Sequence, residues 1–370
     1  MVESNQGYIL HIVCGDKFTD GYVSFMKKCL GKYDHRFIST KCQYELSGNN
    51  IRDVNLVRSY KDELPVTSKT RIEMRNANKI IVSGLFGLDL CVFLFLQPNR
   101  ILKKTYIQFW GMDFYRLRKK PKFWRDRIDH FCRKNVIKRC AGLIFLLPEE
   151  YESFVEITGI QKKHFDAPVR GDPDKKIKYT EFREENANHS NSNKDMTEVI
   201  TVVVGNSATD TNCHIEAFGL LSRFQNEKIR IVCPLSYGNS DYRNAVIKKG
   251  TEIFGDKFVP LSDFVPRDEY VKRLNECDVG VFYNNRQQGM GNISILLGLG
   301  KKVYLREGTS MWNSYCHKGY VIFSTSQIEK SAFEDFAAFD LGCRAVNEQI
   351  ADKLSDDKWA IEKWQRVLDD

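Results

Sequence analysis

The stretch DVGVFYNNRQQGMGNISILLGLG, residues 278–300, decides the fold class of this chain. Its first part is a short apolar run, typical of a buried strand in a parallel sheet. Its last part, Asn292–Leu299, is apolar, lacks proline and indicates a buried helix. Between them lies a polar loop with Gly289, Gly291 and the cation Arg286. A strand that returns as a helix through such a loop is typical of a doubly wound α/β domain.

The same loop has the chemistry of an anion site. The first turn of a helix presents backbone N–H groups without helical partners, and the helix dipole adds partial positive charge there. Arg286 would add a bidentate contact, and Gln287 and Gln288 would add neutral donors. These residues predict a diphosphate site, although a polar loop in any doubly wound domain would have the same outline.

Length and composition describe a soluble globular protein. A chain of 370 residues is too long for one ordinary core, so two domains are expected. No apolar run reaches the roughly 20 residues that span a bilayer, and the polar segment Met1–Gly7 predicts no signal peptide. The eleven cysteines are an odd number without a CxxC pair, which predicts reduced thiols in a cytosol and no metal site.

Positive charge is concentrated in one region of the chain. Between Arg100 and Arg139 there are 14 Lys and Arg residues against three Asp, whereas the whole chain has a net charge of only +8. Aromatic residues are interleaved with these charges, which suits either the surface of an anionic membrane or a nucleic acid. A solvated basic helix whose aromatic residues face the core is the alternative.

Strand-like and helix-like runs alternate along most of the chain, which predicts parallel sheets covered on both faces. In the basic region we expect a helix from Pro121, whose ring suits a first helical turn. The predicted organisation is an N-terminal domain at 1–170, a polar linker at 171–197, a second domain at 198–347 and an amphipathic helical tail at 348–370.

Doubly wound domains bind ligands outside the carboxyl ends of their strands. In the second domain five strand-end loops would face one cleft and suit a nucleotide, with donors for phosphate and Glu307 for a ribose hydroxyl. The absence of a GxGxxG fingerprint and of a Walker lysine makes dinucleotide and ATP binding less favoured. The predicted donor-binding residues are Gly205, Asn206, Ser207, Pro234, Ser236, Tyr237, Asp263, Phe264, Arg286, Gln287, Gln288, Gly289, Gly291, Asn292 and Glu307.

An ordered series of short blocks carries a family resemblance. It resembles the bacterial 4-acetamido-4,6-dideoxygalactose (N-acetylfucosamine) transferases of glycosyltransferase family 56, which act on the lipid II intermediate of enterobacterial common antigen. The resemblance spans most of residues 8–323, and the linker and the tail depart from it. The blocks are residues 204–207 with Asn212 and His214, residues 232–234, 261–262, 277–280 and 286–291, and residues 110–115.

The resemblance implies a GT-B glycosyltransferase with two Rossmann-like, doubly wound parallel-sheet domains facing a central cleft. It implies a dTDP-sugar donor in the second domain, an undecaprenyl-diphosphate-linked acceptor at the first, and no metal or other cofactor. It also implies docking at the cytoplasmic face of the inner membrane and no nucleic-acid partner. The acceptor and membrane residues would be Trp110, Gly111, Lys119, Lys120 and Trp124.

Glycosyl transfer needs a group that stabilises the leaving diphosphate and, if the reaction inverts, a base for the acceptor hydroxyl. Arg286 suits the first role. Candidate bases are Asp113, Asp16 and His11, and we favour Asp113 because the turn at Trp110 would present it to the cleft. The alternatives are that Asp113 caps the following helix and that His11 is a core histidine in an apolar strand.

Other functions fit the same residues. The chain could use another nucleotide sugar for a different surface polysaccharide, or bind nucleic acid through residues 100–139. A sugar-nucleotide epimerase of GT-B shape would act without a lipid acceptor. His214 is either structural or in contact with phosphate. Which sugar moves, and whether the anomeric configuration is inverted or retained, stays open.

Overall fold

The structure of the protein is a computed structural model that describes residues 7–15, 18–39, 68–189 and 199–370. Contacts between Cα atoms divide the chain into two compact units. Unit 1 consists of Met1–Lys176 and Asp356–Asp370, and unit 2 consists of Ile177–Ser355. No helix in the described ranges is long and apolar enough to cross a membrane.

Unit 1 contains a sheet of six parallel strands with helices between them. The strand order is β2-β1-β3-β4-β5-β6. The strands are β1 (Ile9–Val13), β2 (His35–Ser39), β3 (Lys79–Ser83), β4 (Thr105–Gln108), β5 (Gly142–Phe145) and β6 (His164–Asp166). The helices are α1 (Thr19–Cys29), α2 (Ser68–Asn76), α3 (Leu88–Phe95), α4 (Asn99–Leu102), α5 (Met112–Tyr115), α6 (Trp124–Arg139) and α7 (Glu150–Thr158).

Unit 2 repeats this architecture with another six parallel strands. Their order is β12-β11-β10-β7-β8-β9. The strands are β7 (Ile200–Val204), β8 (Ile229–Pro234), β9 (Phe258–Leu261), β10 (Val279–Phe282), β11 (Lys302–Leu305) and β12 (Phe323–Ser324). The helices are α8 (Tyr179–His189), α9 (His214–Leu221), α10 (Ser240–Phe254), α11 (Arg267–Asn275), α12 (Met290–Gly298), α13 (Ser310–His317), α14 (Phe333–Ala337) and α15 (Leu341–Ser355).

The two sheets confirm the predicted α/β class with doubly wound parallel sheets. Every strand pair in both sheets is parallel, and the central strands β3, β4 and β10 are buried along their whole length. Parallel strands covered by helices on both faces need continuous apolar runs, which is the pattern that the sequence has. Residues 278–300 form β10, its loop and α12, and the helix starts at Met290 because Gly289 takes the left-handed backbone conformation, with φ of 69°.

Each sheet has one point where the strand order reverses. In unit 2 the chain runs from β7 outward through β8 and β9, then returns to place β10 on the other side of β7. In unit 1 the corresponding reversal lies between β1 and β3. Neighbouring loops diverge at such a point and leave a crevice at the carboxyl edge of the sheet. The fold therefore indicates that ligand-binding residues lie in the loops after β7 and β10 in unit 2 and after β1 and β3 in unit 1.

Two helices depart from the sequence expectation. The helix predicted from Pro121 begins at Trp124, because the Asp126 carboxylate accepts hydrogen bonds from the backbone N–H groups of Lys122 and Phe123 and caps the helix there. The segment 171–197, expected as a linker, contains α8. Arg183 of α8 donates to the Gly298 carbonyl oxygen at 2.8 Å, at the last residue of α12. A cation there complements the negative end of the helix dipole.

The C-terminal segment forms two helices that belong to different units. α15 packs in unit 2 against α12, and a further helix, α16 (Lys358–Asp369), packs in unit 1. The Trp364 side chain of α16 is fully buried, and its Nε1–H donates to the Pro168 carbonyl oxygen at 2.9 Å. Trp364 is thus a core residue of unit 1, and Trp359 is half-buried against the same core.

Candidate functional site

The loop after β7 is built around the side chain of Asn212. Its Nδ2 donates to the Ser207 carbonyl oxygen at 2.9 Å and to Thr209 Oγ1 at 2.7 Å. Its Oδ1 accepts from the Asn206 backbone N–H at 3.1 Å. Gly205 starts the loop with φ of 68°, a conformation that other residues rarely adopt. The loop is therefore held in one shape by its own polar groups.

The loop after β10 is joined to the loop after β7. Thr211 Oγ1 donates to Gln288 Oε1 at 2.8 Å, and the Asn285 backbone N–H donates to the Thr211 carbonyl oxygen at 3.1 Å. A Cβ atom at Gly289 would lie 3.1 Å from Asn206 Oδ1, so only a glycine lets the chain pass there without displacing that side chain. The structure thus brings Asn206, Gln288 and Gly289 together at the reversal point of the unit 2 sheet.

Polar atoms without partners are concentrated in these two loops. Each costs free energy in an apolar surrounding unless a ligand or water completes its hydrogen bonds. The cluster contains both donors and acceptors, so a ligand bound there would form several hydrogen bonds with it. The buried side-chain atoms that have no hydrogen-bond partner among the described residues include Asn206 Oδ1, His214 Nε2, Asn284 Oδ1, Gln287 Oε1 and Gln288 Nε2.

His214, the first residue of α9, borders this cluster as a neutral side chain. It is fully buried, and burial lowers its pKa to about 4. Its Nδ1 lies 3.3 Å from the Tyr242 hydroxyl, and a Cβ atom at Gly205 would lie 2.4 Å from its Nε2. Nε2 therefore faces the backbone turn at Gly205. An imidazole that is neutral at physiological pH can donate or accept one hydrogen bond there, according to its tautomer.

Arg286 and the start of α12 supply the positive charge. Arg286 is half-buried, and its Nη1 donates to the Gln287 carbonyl oxygen at 2.8 Å. α12 begins directly after Gly289, and its first turn includes Gly291 and Asn292. Asn292 Nδ2 donates to the Tyr270 hydroxyl at 2.7 Å. Together these residues suit an anion placed at the N-terminus of α12.

The other predicted donor-binding residues lie at the carboxyl ends of their strands. Tyr237 follows β8, and its hydroxyl accepts from Asn206 Nδ2 at 2.9 Å, which joins a third loop to the cluster. Pro234 ends β8, and Ser236 is half-buried beyond it. Asp263 and Phe264 are exposed after β9.

Glu307 is exposed after β11 and borders a separate recess in unit 2. This cavity has a volume of about 140 Å³. In the wall of this cavity Arg306 stacks over the Tyr283 ring, and the guanidinium carbon lies 4.8 Å from the ring centroid. Three hydroxyl side chains and two carboxylates line most of the rest, which suits a ligand rich in hydroxyl groups. The lining residues are Leu220, Tyr283, Arg306, Glu307, Ser324, Thr325, Ser326 and Glu329.

In unit 1, Asp113 is buried and both of its carboxylate oxygens accept hydrogen bonds. Oδ1 accepts from the Trp110 backbone N–H at 3.0 Å and Oδ2 from the Leu85 backbone N–H at 3.2 Å. Arg133 donates to the Asp113 carbonyl oxygen at 3.1 Å and also to that of Leu85. Burial raises the pKa of Asp113 to about 6, although Arg133 and these N–H groups act against the rise. Both N–H groups lie outside α5, so this geometry favours a structural role for Asp113, which joins the loops after β3 and β4.

The other two candidate bases are His11 and Asp16, and the structure describes only His11. His11 is fully buried in β1, with Nδ1 2.9 Å from the Tyr22 hydroxyl and Nε2 2.9 Å from His35 Nδ1. Burial lowers the pKa of His11 well below its usual value, so the core-histidine interpretation fits it. Asp16 lies outside the described residues.

The crevice at the unit 1 reversal point contains a small cavity of about 10 Å³ between the ends of β1 and β3. Trp110 lines it, and its Nε1–H donates to Ser83 Oγ at 3.0 Å. Gly111 has φ of 92° and starts α5. Lys119, Lys120 and Trp124 are exposed on the surface of unit 1.

Sequence reasoning missed part of the polar cluster. Asn284 and Thr211 were not among the expected site residues, yet both bond to Gln288. Met311 of α13 also contributes, because its Sδ accepts from the Gln288 backbone N–H at 3.4 Å. The signal for Asn284 was present, since Asn284 and Asn285 directly follow an apolar strand. Nothing local pointed to Met311.

A comparison with protein families supplies the decisive observation. Residues 57–338 match the model of the family described as 4-alpha-L-fucosyltransferase, glycosyl transferase group 56. The chain belongs to this family. It is therefore a glycosyltransferase, and the family implies a nucleotide-sugar donor and a glycan acceptor in general. The family resemblance and the enzyme class predicted from the sequence are confirmed.

Solved structures of similar fold are glycosyltransferases with the GT-B fold. The sucrose-phosphate synthase of Thermosynechococcus elongatus has a TM-score of 0.67 at 10% identity, covering 98% of both chains. A glycosyltransferase from Rickettsia africae has a TM-score of 0.64 at 12% identity, and the match covers 98% of both chains. A third structure is described as trehalose-6-phosphate from E. coli bound with UDP-2-fluoro glucose. Its TM-score is 0.63 at 9% identity, and the match covers 98% of this glycosyltransferase and 99% of that chain. The predicted GT-B fold is thereby confirmed.

Proposed function

We propose that this glycosyltransferase moves a 4-acetamido-4,6-dideoxygalactose-type sugar from a dTDP-sugar to an undecaprenyl-diphosphate-linked glycan, in the synthesis of a bacterial surface polysaccharide such as enterobacterial common antigen. The single observation that carries the donor half is the cluster of buried polar atoms without partners after β7 and β10. Membership of the fucosyltransferase family supports a 6-deoxy sugar as the transferred group. The acceptor half rests on the blocks in which the sequence resembles the lipid II-dependent transferases.

The diphosphate of the donor would lie at the N-terminus of α12. Its negative charge would meet the partial positive charge of the helix and the guanidinium of Arg286. Gln288 Nε2 and His214 Nε2 would donate to its oxygens, which completes hydrogen bonds that both atoms otherwise lack among the described residues. A protein of similar fold is bound to a UDP-sugar, which supports a nucleoside-diphosphate sugar as the ligand class.

These groups would act most strongly as the glycosidic bond to phosphate breaks. Negative charge then develops on the departing dTDP, and fixed donors that already point at it need no reorganisation. Arg286 and the first-turn N–H groups of α12 would therefore serve as the leaving-group stabilisers, without a metal ion. The acceptor hydroxyl loses a proton in the same process. We propose Asp16 as its base and Asp113 as the residue that positions the loop, because both Asp113 oxygens are engaged by backbone N–H groups.

The acceptor is amphiphilic, since its glycan is joined to a long polyprenyl chain. A transferase for such a substrate works where the polyprenyl chain is embedded, so we propose that the protein binds peripherally at the cytoplasmic face of the inner membrane. The exposed Lys119, Lys120 and Trp124 of unit 1 support this placement.

The test has two parts. Thermal unfolding with a panel of nucleotides should show a larger stabilisation by dTDP than by UDP or GDP, because a ligand that binds only the folded state raises its stability. Release of dTDP from dTDP-4-acetamido-4,6-dideoxygalactose should then require a polyprenyl-diphosphate-linked acceptor. Release without any acceptor, or an isomerised nucleotide sugar as the product, would contradict the proposal and favour an epimerase.

A further inference from the structure

A row of large apolar side chains is exposed on the outer side of α6. Trp124, Ile128 and Phe131 follow one another at i, i+4 and i+7, which places all three on one side of the helix. Trp124 is 69% exposed and Phe131 58%, although side chains of this size usually lie in the interior. We call this row, together with Phe123 directly before it and Leu96 at the end of α3, the α6 face.

The α6 face is continuous with the end of α3. The Phe131 ring packs edge-on against Phe95 at a centroid distance of 5.4 Å, and Leu96, the next residue, is 66% exposed. α3 and α6 are packed against each other along their length. The opposite side of α6 holds the buried Val136 and Ile137. The helix is therefore apolar on two sides, and only one of them belongs to the core.

Basic side chains border the same face. Arg127, Lys134 and Lys138 follow along one flank at i, i+7 and i+11, and Arg125 lies on the other. Lys119, Lys120 and Lys122 immediately precede the helix and are exposed. The remaining arginines of α6 serve the fold instead, because Arg133 donates to the Leu85 carbonyl oxygen and Arg139 to the Gln97 carbonyl oxygen in the neighbouring loops. The charge on the surface is thus concentrated around the apolar row.

We infer that the α6 face is a docking surface for an anionic lipid bilayer, with Trp124, Ile128, Phe131 and Leu96 inserted at headgroup depth. A flat apolar row bordered by Lys and Arg is what an interfacial helix presents to anionic lipid, because rings and aliphatic groups leave water while the cations meet phosphate. Nucleic acid is less well matched, since Leu96 and Ile128 offer no ring for base stacking.

This inference deepens the proposed function by naming the residues that would bring the enzyme to a lipid-linked acceptor. Its physical basis is independent of the donor site, since the α6 face lies in unit 1 and the polar cluster lies in unit 2. Vesicle binding and sugar transfer can therefore fail separately, which keeps the two proposals distinguishable.

The experiment measures flotation of the full-length protein with vesicles of phosphatidylglycerol mixed with phosphatidylcholine, and with vesicles of phosphatidylcholine alone. Wild type should bind the anionic vesicles, and added salt should weaken this binding. The double variant W124E/F131E should bind at least about tenfold more weakly, because two large apolar groups no longer leave water and two carboxylates meet anionic lipid. Tryptophan fluorescence should be quenched by brominated lipid in wild type.

The matched control is L341E, which places a carboxylate at an apolar position of unit 2 that is 72% exposed. It should bind vesicles like wild type. Both variants should fold and keep the stabilisation by dTDP, because the changed side chains lie outside the buried core and the polar cluster. Among the described residues, W124E/F131E loses only the contact between the Phe131 and Phe95 rings, so its thermal unfolding should change little. If only W124E/F131E loses binding while its dTDP response persists, the α6 face is the docking surface.

Four results would overturn the inference. One is wild type that does not float with anionic vesicles, even if it transfers sugar to an acceptor in detergent. Another is W124E/F131E that floats like wild type. The third is tighter binding of wild type to single-stranded RNA or DNA than to the vesicles at equal salt. The fourth is a wild-type dimer that W124E/F131E converts to a monomer. Vesicle binding through the α6 face without any sugar transfer would support the docking surface and contradict the proposed function.

Discussion

The carboxylate of Asp113 bonds to the backbone of Leu85, with Oδ2 3.2 Å from the amide nitrogen, across 28 residues of chain. The other oxygen accepts from the Trp110 N–H, and Arg133 donates to the carbonyl oxygens of both Asp113 and Leu85. One buried acid and one buried arginine thus join the loops that follow β3 and β4. These two loops are fixed to each other by this pair of side chains.

Asp113→Asn should lower the free energy of unfolding by about 1–3 kcal/mol, because one oxygen becomes an NH₂ group that faces a backbone N–H. The folded fraction should still transfer sugar. Urea denaturation and an activity assay at matched folded concentration measure the two effects. Asp16→Asn is the comparison, and it should lose about 10²–10⁴-fold in rate with little change in stability. A stable but inactive Asp113→Asn would instead make Asp113 the base.

Arg286→Ala should abolish most sugar transfer, with a loss of at least about 10²-fold in turnover, because the cation that offsets the leaving diphosphate is removed. Thermal unfolding without ligand should stay close to that of wild type, since Arg286 is only half-buried. Arg230→Ala, at an exposed position near the start of β8, is the matched control and should keep its activity. Full activity of Arg286→Ala would contradict the placement of the diphosphate.

The buried histidines should make the protein less stable on acidification below about pH 6.5, because they stay neutral in the folded protein. Burial lowers the pKa of His214 to about 4 and holds that of His11 well below its usual value. The unfolded chain binds these protons below the ordinary histidine pKa of about 6.5, whereas the folded chain does not. The histidine contribution is therefore constant above about pH 7 and decreases as the pH falls from about 6.5 towards 4. Asp113, whose pKa burial raises to about 6, contributes in the opposite direction below that pH, so the histidine effect is measured against a variant that lacks it.

His214→Gln isolates one of these contributions, since Gln keeps a hydrogen-bonding group and does not titrate. Urea denaturation across this pH range should show a loss for wild type that exceeds the loss for the variant by on the order of 1–3 kcal/mol. Identical pH profiles would mean that His214 is not held neutral by burial. The variant should also bind dTDP more weakly at neutral pH, because the contact from Nε2 is changed.

Two glycines in the helices of unit 2 should respond oppositely to the same change. A Cβ atom at Gly298 would lie 2.6 Å from the Tyr179 ring, so Gly298→Ala forces apart α12 and α8 and should cost about 1–3 kcal/mol. A Cβ atom at Gly219 in α9 would meet nothing within 4 Å. Gly219→Ala should therefore stabilise the protein by about 0.5–1 kcal/mol, because alanine favours the helix. Equal effects of the two changes on the melting temperature would contradict the packing of α8 on α12.

The sequence by itself determined the alternation of strands and helices. Apolar runs such as Val202–Val204 and Val279–Phe282, each followed by a polar loop and a helical pattern, require parallel strands covered on both faces. The loop with Gly289 and Arg286 could also be recognised locally, because the end of a strand, a glycine and the start of a helix are all encoded within a few residues. The family resemblance came from the same short blocks.

The tertiary structure decided the role of individual side chains. The sequence does not distinguish the aromatic residues of the basic region from one another. Packing buries Phe109 and Phe114 and leaves Trp124 and Phe131 exposed. The helix of Arg183 was missed, because it is stabilised by a contact with Gly298, 115 residues later in the chain.

The polar cluster depends on packing in the same way. Whether a buried Asn206 or Gln288 finds a partner depends on which loops meet at the reversal point of the sheet. The local sequence pattern determines the backbone conformation and the buried side of each helix or strand, because apolar residues recur every few positions. Contacts between distant segments have no such local signature, so the placement of each functional side chain is settled only when the chain is folded.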